Sequence, residues 1–282
     1  MLINGNVADV QNTLDARDCP VNRVGIRGLR HPFFFEDIGL PAPCRQSVVG
    51  RFDMLVDLPK DQKGTHMSRF VEILNQSQVN ISIAALPKWV SHMVERLGAK
   101  DGFLITQFPI FVQKWAPVSK IASLMDYEVI LQGTLLNGKS ETLVTVIVPV
   151  TSLCPCSKEI ADYGAHNQRS HVTVTVKAVA GLSVVDIIKL VESKASCDLY
   201  GILKRTDEKA ITERAYDNPK FVEDMVRDVA NGLDKLRGVK GYKIASENFE
   251  SIHNHSAFAE IDRLNTTITS EIQPKNLVAE LT

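Results

Sequence analysis

The stretch YEVILQGTLLNGKSETLVTVIVPVT, residues 127–151, predicts an antiparallel hairpin. Its two strand-like halves flank Asn137-Gly138. Asn and Gly tolerate the left-handed backbone angles that a two-residue type I′ turn requires, so the chain is expected to reverse there. Alternating apolar residues also predict a strand over 46–58, and residues 103–115 have a strand-like composition.

Two amphipathic helices are predicted between these strands. MSRFVEILNQ, residues 67–76, places its apolar side chains on one helical face. LPKWVSHMVERLGA, residues 86–99, does the same, and Gly98 is typical of a helix C-terminal cap. The order in the first half is therefore strand, two helices, then strands.

The second half of the chain repeats this order. Apolar and polar residues alternate over 170–179, which predicts a half-buried strand. SVVDIIKLVES, residues 183–193, has helical periodicity. The clearest helix is predicted within 218–238, where Asn218 can cap the first turn and Pro219 fits inside it.

Two closing strands are expected within 240–264, on either side of the turn His253-Asn254-His255. A β–αα–ββ unit thus occurs twice, which predicts an α+β fold in which each antiparallel sheet carries a helix pair on one face. We predict an irregular N-terminal arm over 1–45, a first module over 46–151 and a second module over 152–282.

Bulk composition excludes several classes of protein. A net charge of -1 gives no reason to expect nucleic-acid or membrane binding, and no apolar run is long enough to span a bilayer. The first residues are too polar for a secretory signal, so a soluble cytoplasmic protein is expected. Five irregularly spaced cysteines argue against a disulfide framework. The glycine-rich turn of a dinucleotide fold is also missing from the sequence.

Cys154 and Cys156 flank Pro155, and His166 follows twelve residues after the first cysteine. In an extended chain both thiols would point to the same face, where a strand leaves the sheet. A thiolate and an imidazole suit Zn²⁺, and an open fourth position would make such a site catalytic. The alternative is structural: two buried thiols near a loop, with His166 as a surface residue in a polar loop. The spacing leaves both the metal-site and the structural interpretation open.

Three further segments carry charged or titratable side chains. His253 and His255 follow the acidic stretch ENFE (247–250), which fits an acid–base cluster or a solvated turn. KGTHMSRF (63–70) fits an anion site or a plain helix start, since it lacks the spacing of a phosphate-binding loop. The charged run KRTDEKAITER (204–214) is expected to be a solvated loop.

Taken together, these segments resemble one family, the prokaryotic type IB GTP cyclohydrolase I. The resemblance covers almost the whole chain from residue 46 to the last strand. Four motifs carry it in order: KGTHMSRF (63–70), VPVTSLCPCSKEIADYGAHNQRSH (148–171), LKRTDEKAITERAYDNPKFVEDMVRDVA (203–230) and SENFESIHNHSAFA (246–259).

The resemblance implies a fold and an activity. Members of that family adopt the tunnelling fold, with two modules in tandem, and form homotetramers with active sites at subunit boundaries. They convert GTP and water to 7,8-dihydroneopterin triphosphate and formate, the first step toward folate and related pterins. This chain is expected to do the same.

The resemblance also implies roles for individual residues. By the matched positions, Cys154, His166 and Glu208 would bind one divalent metal, with Zn²⁺ the default and Mn²⁺ also suited to a carboxylate ligand. Cys156 and His253 would transfer protons as water attacks the guanine and its imidazole ring opens. The implied substrate ligands are the carboxylates for guanine, Glu223 and Glu250, and the cations for the triphosphate, Lys63, Arg69 and Arg169.

Two alternatives share this fold. VESKASCDLYG, residues 191–201, partly resembles the cofactor motif of the NADPH-dependent nitrile reductases, and Cys197 lies within it. The basic and aromatic residues that should follow that motif are missing from the sequence. The second alternative is a non-catalytic metal-binding scaffold, against which the intact set of candidate residues argues.

Overall fold

The computed structural model describes residues 11, 13–75 and 79–264. Ten strands and six helices lie within this part of the chain. The strands are β1 (Val21–Glu36), β2 (Arg45–Leu58), β3 (Asn80–Ile81), β4 (Gly102–Trp115), β5 (Ala122–Leu136), β6 (Lys139–Leu153), β7 (Asn167–Ala178), β8 (Cys197–Asp198), β9 (Val239–Asn248) and β10 (Ala257–Arg263). The helices are α1 (Met67–Asn75), α2 (Leu86–Leu97), α3 (Pro155–Ile160), α4 (Val184–Lys194), α5 (Arg205–Asp217) and α6 (Val222–Leu233).

All the strands belong to one sheet, in the order β10-β9-β7-β6-β5-β4-β2-β1-β3, with β8 pairing β6. The pairs are antiparallel except β1 with β3. The predicted hairpin is confirmed: β5 and β6 are joined by Asn137 and Gly138, whose φ angles of 50° and 74° are those of a type I′ turn.

The helices pack against the sheet and complete the core. Phe70 of α1 and Val90 of α2 are fully buried against the first strands, and Val191 of α4 and Val229 of α6 are fully buried in the second half. Gly133 on β5 allows α2 to approach closely, because a Cβ there would lie 2.8 Å from side-chain atoms of α2. The strands and helices predicted in both halves are present, in the predicted order. The helix predicted within 218–238 begins later than expected, at Val222, and Gln76 lies outside the described residues.

The prediction of an irregular N-terminal arm is wrong for Val21–Glu36, which forms the long strand β1. Phe33 and Phe35 are buried and Phe34 lies between them, so the segment does alternate. The consecutive aromatic residues obscured this period in the sequence. Both buried rings contact Phe108 of β4, with centroids 5.0 and 4.9 Å away. Residues 1–10 and 12 lie outside the described part of the chain.

The second correction concerns the charged run, which forms helix α5 instead of a solvated loop. Asp207 explains the difference, because its buried carboxylate accepts hydrogen bonds from Val118, Ser119 and Lys204. These tertiary contacts fix a helix that has few apolar residues. The predicted cap is also wrong: α6 begins at Val222, and Asn218 instead ends α5, where its side chain donates to the Ala195 carbonyl at 2.8 Å.

The division into two modules stays a prediction, and the two halves share extensive contacts. β6 and β7 are paired from Leu143↔Lys177 to Leu153↔Asn167. Asp37, just after β1, accepts hydrogen bonds from the Ser183 hydroxyl at 2.5 Å and from the Val184 nitrogen at 2.8 Å, and so caps α4.

The two ends of the sheet carry different candidate residues. We define the Cys154 end by the end of β6, the start of β7 and the end of β9, and the Lys63 end by the end of β2, the start of β4 and the end of β5. At about 3.3 Å per residue, a strand as long as β6 separates them by roughly 45 Å. Within the described residues, no helix has the length and apolar character needed to cross a membrane.

Candidate active site

Cys154 lies where β6 leaves the sheet and caps the short helix α3. Its thiol accepts a hydrogen bond from the Ser157 nitrogen at 3.5 Å, and Pro155 occupies the first helical position, which suits proline. The expectation of an extended segment is therefore wrong. Cys156 lies in the first turn of α3 and is exposed, whereas Cys154 is half-buried, so the two thiols do not share a strand face.

His166 returns to Cys154 at the start of β7. The Cys154 backbone nitrogen donates to the His166 carbonyl at 3.1 Å, and the His166 backbone nitrogen donates to the Ser157 hydroxyl at 3.2 Å. The register of β6 and β7, in which Leu153 lies opposite Asn167, fixes this contact. The structure therefore brings Cys154 and His166 together, and the His166 side chain is only 13% exposed.

Three polar groups surround one nitrogen of the His166 ring. Nδ1 lies 3.1 Å from Gln168 Oε1, 3.4 Å from Ser251 Oγ and 3.9 Å from Glu250 Oε2. The Glu250 side chain is 12% exposed. The structure thus places Glu250, a predicted guanine ligand, directly beside a predicted metal ligand.

Cys156 and His253 are both exposed at the Cys154 end of the sheet. His253 lies in the loop between β9 and β10, three residues after Glu250, and its ring stacks on that of His255 with centroids 5.2 Å apart. Both groups are open to solvent, so a bound molecule could exchange protons with either.

Glu208 is exposed in the first turn of α5, next to the buried Asp207. Across the ranges that the structure describes, no three His, Cys, Asp or Glu side chains form a group that could hold a metal ion. One chain therefore does not bring Glu208 to Cys154 and His166, and its role as the third ligand stays a prediction.

Glu223 and Arg169 lie at the Cys154 end and are exposed. Glu223 is in the first turn of α6. That turn is held beside β6 because the Lys220 backbone nitrogen, just before the helix, donates to the Leu153 carbonyl at 3.0 Å. Arg169 lies on β7, and its carbonyl accepts a hydrogen bond from the Phe249 nitrogen at 3.0 Å.

Lys63 and Arg69 lie at the opposite end of the sheet. Lys63 follows β2, and its backbone nitrogen donates to the Thr13 carbonyl at 3.2 Å. Arg69 belongs to the first turn of α1. Within one chain the structure does not bring these predicted triphosphate ligands to Cys154.

A buried charged network near the Cys154 end was not anticipated. Lys114 Nζ donates to Glu192 and to Asp198, both at 2.7 Å, and the Tyr127 hydroxyl donates to Glu192 at 2.6 Å. Burial and the Glu192 carboxylate raise the pKa of Tyr127. The partners lie 65 to 84 residues apart in the chain, so no local pattern predicts them.

The same network bears on the nitrile-reductase alternative. Glu192, the first of two acidic residues in the VESKASCDLYG segment, accepts hydrogen bonds from Lys114 and Tyr127. Cys197 is 2% exposed, and burial raises the pKa of its thiol. A buried cysteine with a raised pKa is a poor nucleophile. Glu192 and Cys197 therefore serve the buried interior of the fold.

Comparison with known proteins adds the family. A family model described as type I GTP cyclohydrolase folE2 matches residues 7–259. The chain belongs to this family. A GTP cyclohydrolase FolE2 from Nitrosococcus oceani is 55% identical over 257 residues, which cover 91% of this chain and 95% of that protein. A GTP cyclohydrolase FolE2 2 from Dechloromonas aromatica is 54% identical over 257 residues, covering 91% and 94%.

Solved structures bear on the fold of this FolE2-family member. A hyper-thermostable uricase mutant superposes with a TM-score of 0.50 at 8% identity, covering 90% of this chain and 96% of the uricase. Such a likeness concerns the fold alone. The predicted family is confirmed, and so is the α+β tunnelling fold.

Proposed function

We propose that this protein is a metal-dependent GTP cyclohydrolase I, which hydrolyses GTP to 7,8-dihydroneopterin triphosphate and formate at the start of folate and pterin biosynthesis. The observation that carries the proposal is the contact between Cys154 and His166 in a member of the FolE2 family. We place the protein in the cytoplasm, where GTP is available, and its net charge of -1 gives no reason for a nucleic-acid or membrane partner.

The proposed metal ligands are Cys154, His166 and Glu208. Sulfur, nitrogen and oxygen donors suit Zn²⁺ or Mn²⁺, and three protein ligands leave a position for water. When bound, such an ion lowers the pKa of water and so supplies a nucleophile at neutral pH. The backbones of Cys154 and His166 are hydrogen-bonded, so their donor side chains start from neighbouring positions, as this group requires. Completing the set requires the start of α5 to approach, from the same chain or from a neighbouring copy.

The chain's own acids and bases would move the protons. Opening the imidazole ring of guanine requires a proton to be delivered as the ring bond breaks, and release of formate requires another transfer. Cys156 and His253 are the proposed groups because both are exposed beside the candidate metal ligands.

Guanine recognition is proposed for Glu223. A carboxylate can accept hydrogen bonds from guanine N1–H and N2–H₂ together. Glu223 is exposed in the first turn of α6, whereas Glu250 is largely buried beside His166 Nδ1, so Glu223 is the better placed of the two to meet a substrate.

The triphosphate is proposed to contact Arg169, Lys63 and Arg69. Arg169 lies at the Cys154 end of the sheet, and the other two cations lie at the Lys63 end. A single site that uses all three must therefore combine two chains. This supports active sites at subunit boundaries, and the proposed assembly is a homotetramer.

The decisive experiment incubates Zn²⁺- or Mn²⁺-loaded protein with GTP, oxidises the product and measures pterin fluorescence and formate. Equal amounts of pterin and formate are expected. Fully metal-loaded protein that releases neither would refute the proposal and would favour a non-catalytic metal-binding scaffold. Oxidation of NADPH in the presence of a 7-deazaguanine nitrile would instead favour the reductase, which the buried Cys197 disfavours.

A further inference from the structure

The ring of His166 has different surroundings at its two nitrogens. Nδ1 faces Gln168 Oε1 at 3.1 Å, with Ser251 Oγ and the Glu250 carboxylate at 3.4 and 3.9 Å. An amide oxygen can only accept a hydrogen bond, and a nearby carboxylate favours an N–H pointing toward it. This geometry favours the tautomer with the ring proton on Nδ1.

A neutral imidazole carries one N–H and one lone pair. With the proton on Nδ1, the lone pair is on Nε2, and only a nitrogen with a lone pair can bind a metal. Histidine ligands in metal sites almost always donate their other N–H to a neighbouring oxygen, which fixes both the tautomer and the orientation of the ring.

Gln168 is well suited to fix this ring because it is itself held. It is 8% exposed and lies on β7 opposite Ser152 of β6. Ser152 and Ser170 flank it in the sheet, and their hydroxyls are hydrogen-bonded at 2.6 Å. The Gln168 backbone is thus part of a regular ladder, which fixes the position from which its side chain reaches the His166 ring.

We propose that Gln168 is a positioning residue which holds the His166 ring with Nδ1 protonated and presents Nε2 as the metal ligand. The proposal rests on the proposed function for the identity of the ligand. It adds a residue and an atom: Gln168 acts through His166 without touching metal or substrate.

The test compares Gln168→Met, which keeps the size of the side chain but removes the acceptor, with Gln168→Glu, which keeps an acceptor. Gln46→Met is the matched control, because Gln46 makes two hydrogen bonds to the Phe111 backbone elsewhere on the sheet. Long-range ¹⁵N NMR of metal-free protein, with His166→Asn to assign the signal, reports which ring nitrogen carries the proton. Competition with a chromophoric chelator gives the Zn²⁺ dissociation constant.

We expect the Nδ1–H form of His166 in the wild type, a mixture of forms in Gln168→Met, and Zn²⁺ binding weakened by about 10- to 100-fold in that variant. Gln168→Glu should restore both readouts, and Gln46→Met should change neither. A wild-type ring protonated on Nε2 would overturn the proposal. So would unchanged Zn²⁺ affinity in Gln168→Met while Cys154→Ala loses its metal.

Failure of the proposed function gives a different result. If Cys154→Ala and His166→Asn bind Zn²⁺ as tightly as the wild type, then the ligand assignment is wrong. The tautomer measurement on metal-free protein still decides whether Gln168 orients the ring.

Discussion

The Asp207 carboxylate accepts hydrogen bonds from both the nitrogen and the hydroxyl of Ser119, at 2.8 and 2.6 Å, across 88 residues of chain. It also accepts from the nitrogens of Val118 and Lys204. Burial alone would raise the pKa of Asp207, but these hydrogen bonds outweigh it and hold the pKa below its usual range. The start of α5, and with it Glu208, is therefore fixed to the turn between β4 and β5.

Asp207→Asn should loosen the start of α5, because an amide nitrogen would face backbone donors that now meet a carboxylate. Hydrogen exchange is expected to speed up at the amides of 118–119 and 205–210, with a lower Tm. Asp217→Asn, an exposed carboxylate in the last turn of the same helix, is the control and should leave exchange at the helix start unchanged. Equal protection in Asp207→Asn and wild type would show that the contact does not hold the helix.

Substitution of Cys154 and substitution of Cys156 should have different effects. Cys154→Ala is expected to lose stoichiometric metal, because it removes a proposed ligand. Cys156→Ala should keep its metal and lose turnover, by about 100-fold or more if it transfers protons. Metal content by elemental analysis and pterin formation measure the two effects. Full metal occupancy in Cys154→Ala would contradict the assignment.

Glu223 and Glu250 should affect different readouts. Glu223→Gln removes the proposed paired acceptor for guanine, so KM for GTP is expected to rise by about 10-fold or more at unchanged Zn²⁺ affinity. Glu250→Gln changes the surroundings of His166 Nδ1 and should weaken Zn²⁺ binding. Steady-state kinetics and chelator competition on both variants separate these effects. The reverse outcome would make Glu250 the guanine ligand.

Lys114→Met should destabilise the fold strongly, because it leaves Glu192 and Asp198 without their shared cation. The side chains of these three residues are only 9%, 12% and 13% exposed. Breaking a buried ion pair costs about 3–5 kcal/mol of unfolding free energy. Lys209→Met, whose exposed partner Glu213 lies one helical turn away, should cost about 0.5 kcal/mol or less. Urea denaturation monitored by circular dichroism gives both values.

His171 should make the fold less stable in mild acid. The pKa of its ring is lowered mainly by burial and, to a smaller extent, by the nearby Arg169 cation. The unfolded chain therefore takes up a proton near pH 6.5, whereas the folded chain resists protonation until a lower pH, so stability falls as pH drops below about 6.5. His171→Gln should reduce this loss, and the exposed His92→Gln should retain it. Urea denaturation at about pH 7.5 and about pH 5.5 provides the comparison.

Local patterns predicted most of the sheet and its helices. The Asn137-Gly138 turn and the apolar faces of α1, α2 and α4 are consequences of short-range geometry. β1 and α5 were missed for opposite reasons. The three phenylalanines of β1 hide its alternation, whereas α5 buries only Asp207 and Ala215 and depends on contacts from distant turns.

The candidate site was predictable to the extent that residue type and strand order determine it. Cys154 and His166 meet because β6 pairs directly with β7. The contacts of Gln168 and Lys114 depend on neighbours that only the folded chain brings near them. The separation of Lys63 from Cys154 follows from strand direction, which the motifs alone do not reveal.

The ladder between β6 and β7 also governs how this protein can be divided. A chain cut after residue 151 would leave both of these strands as bare edges, prone to aggregation, and would remove Asp37 from the helix that it caps. Separately expressed halves should therefore be insoluble alone. When the two halves are produced together, they should associate by pairing β6 with β7. The β6–β7 boundary is therefore a suitable division point for a split-protein reporter.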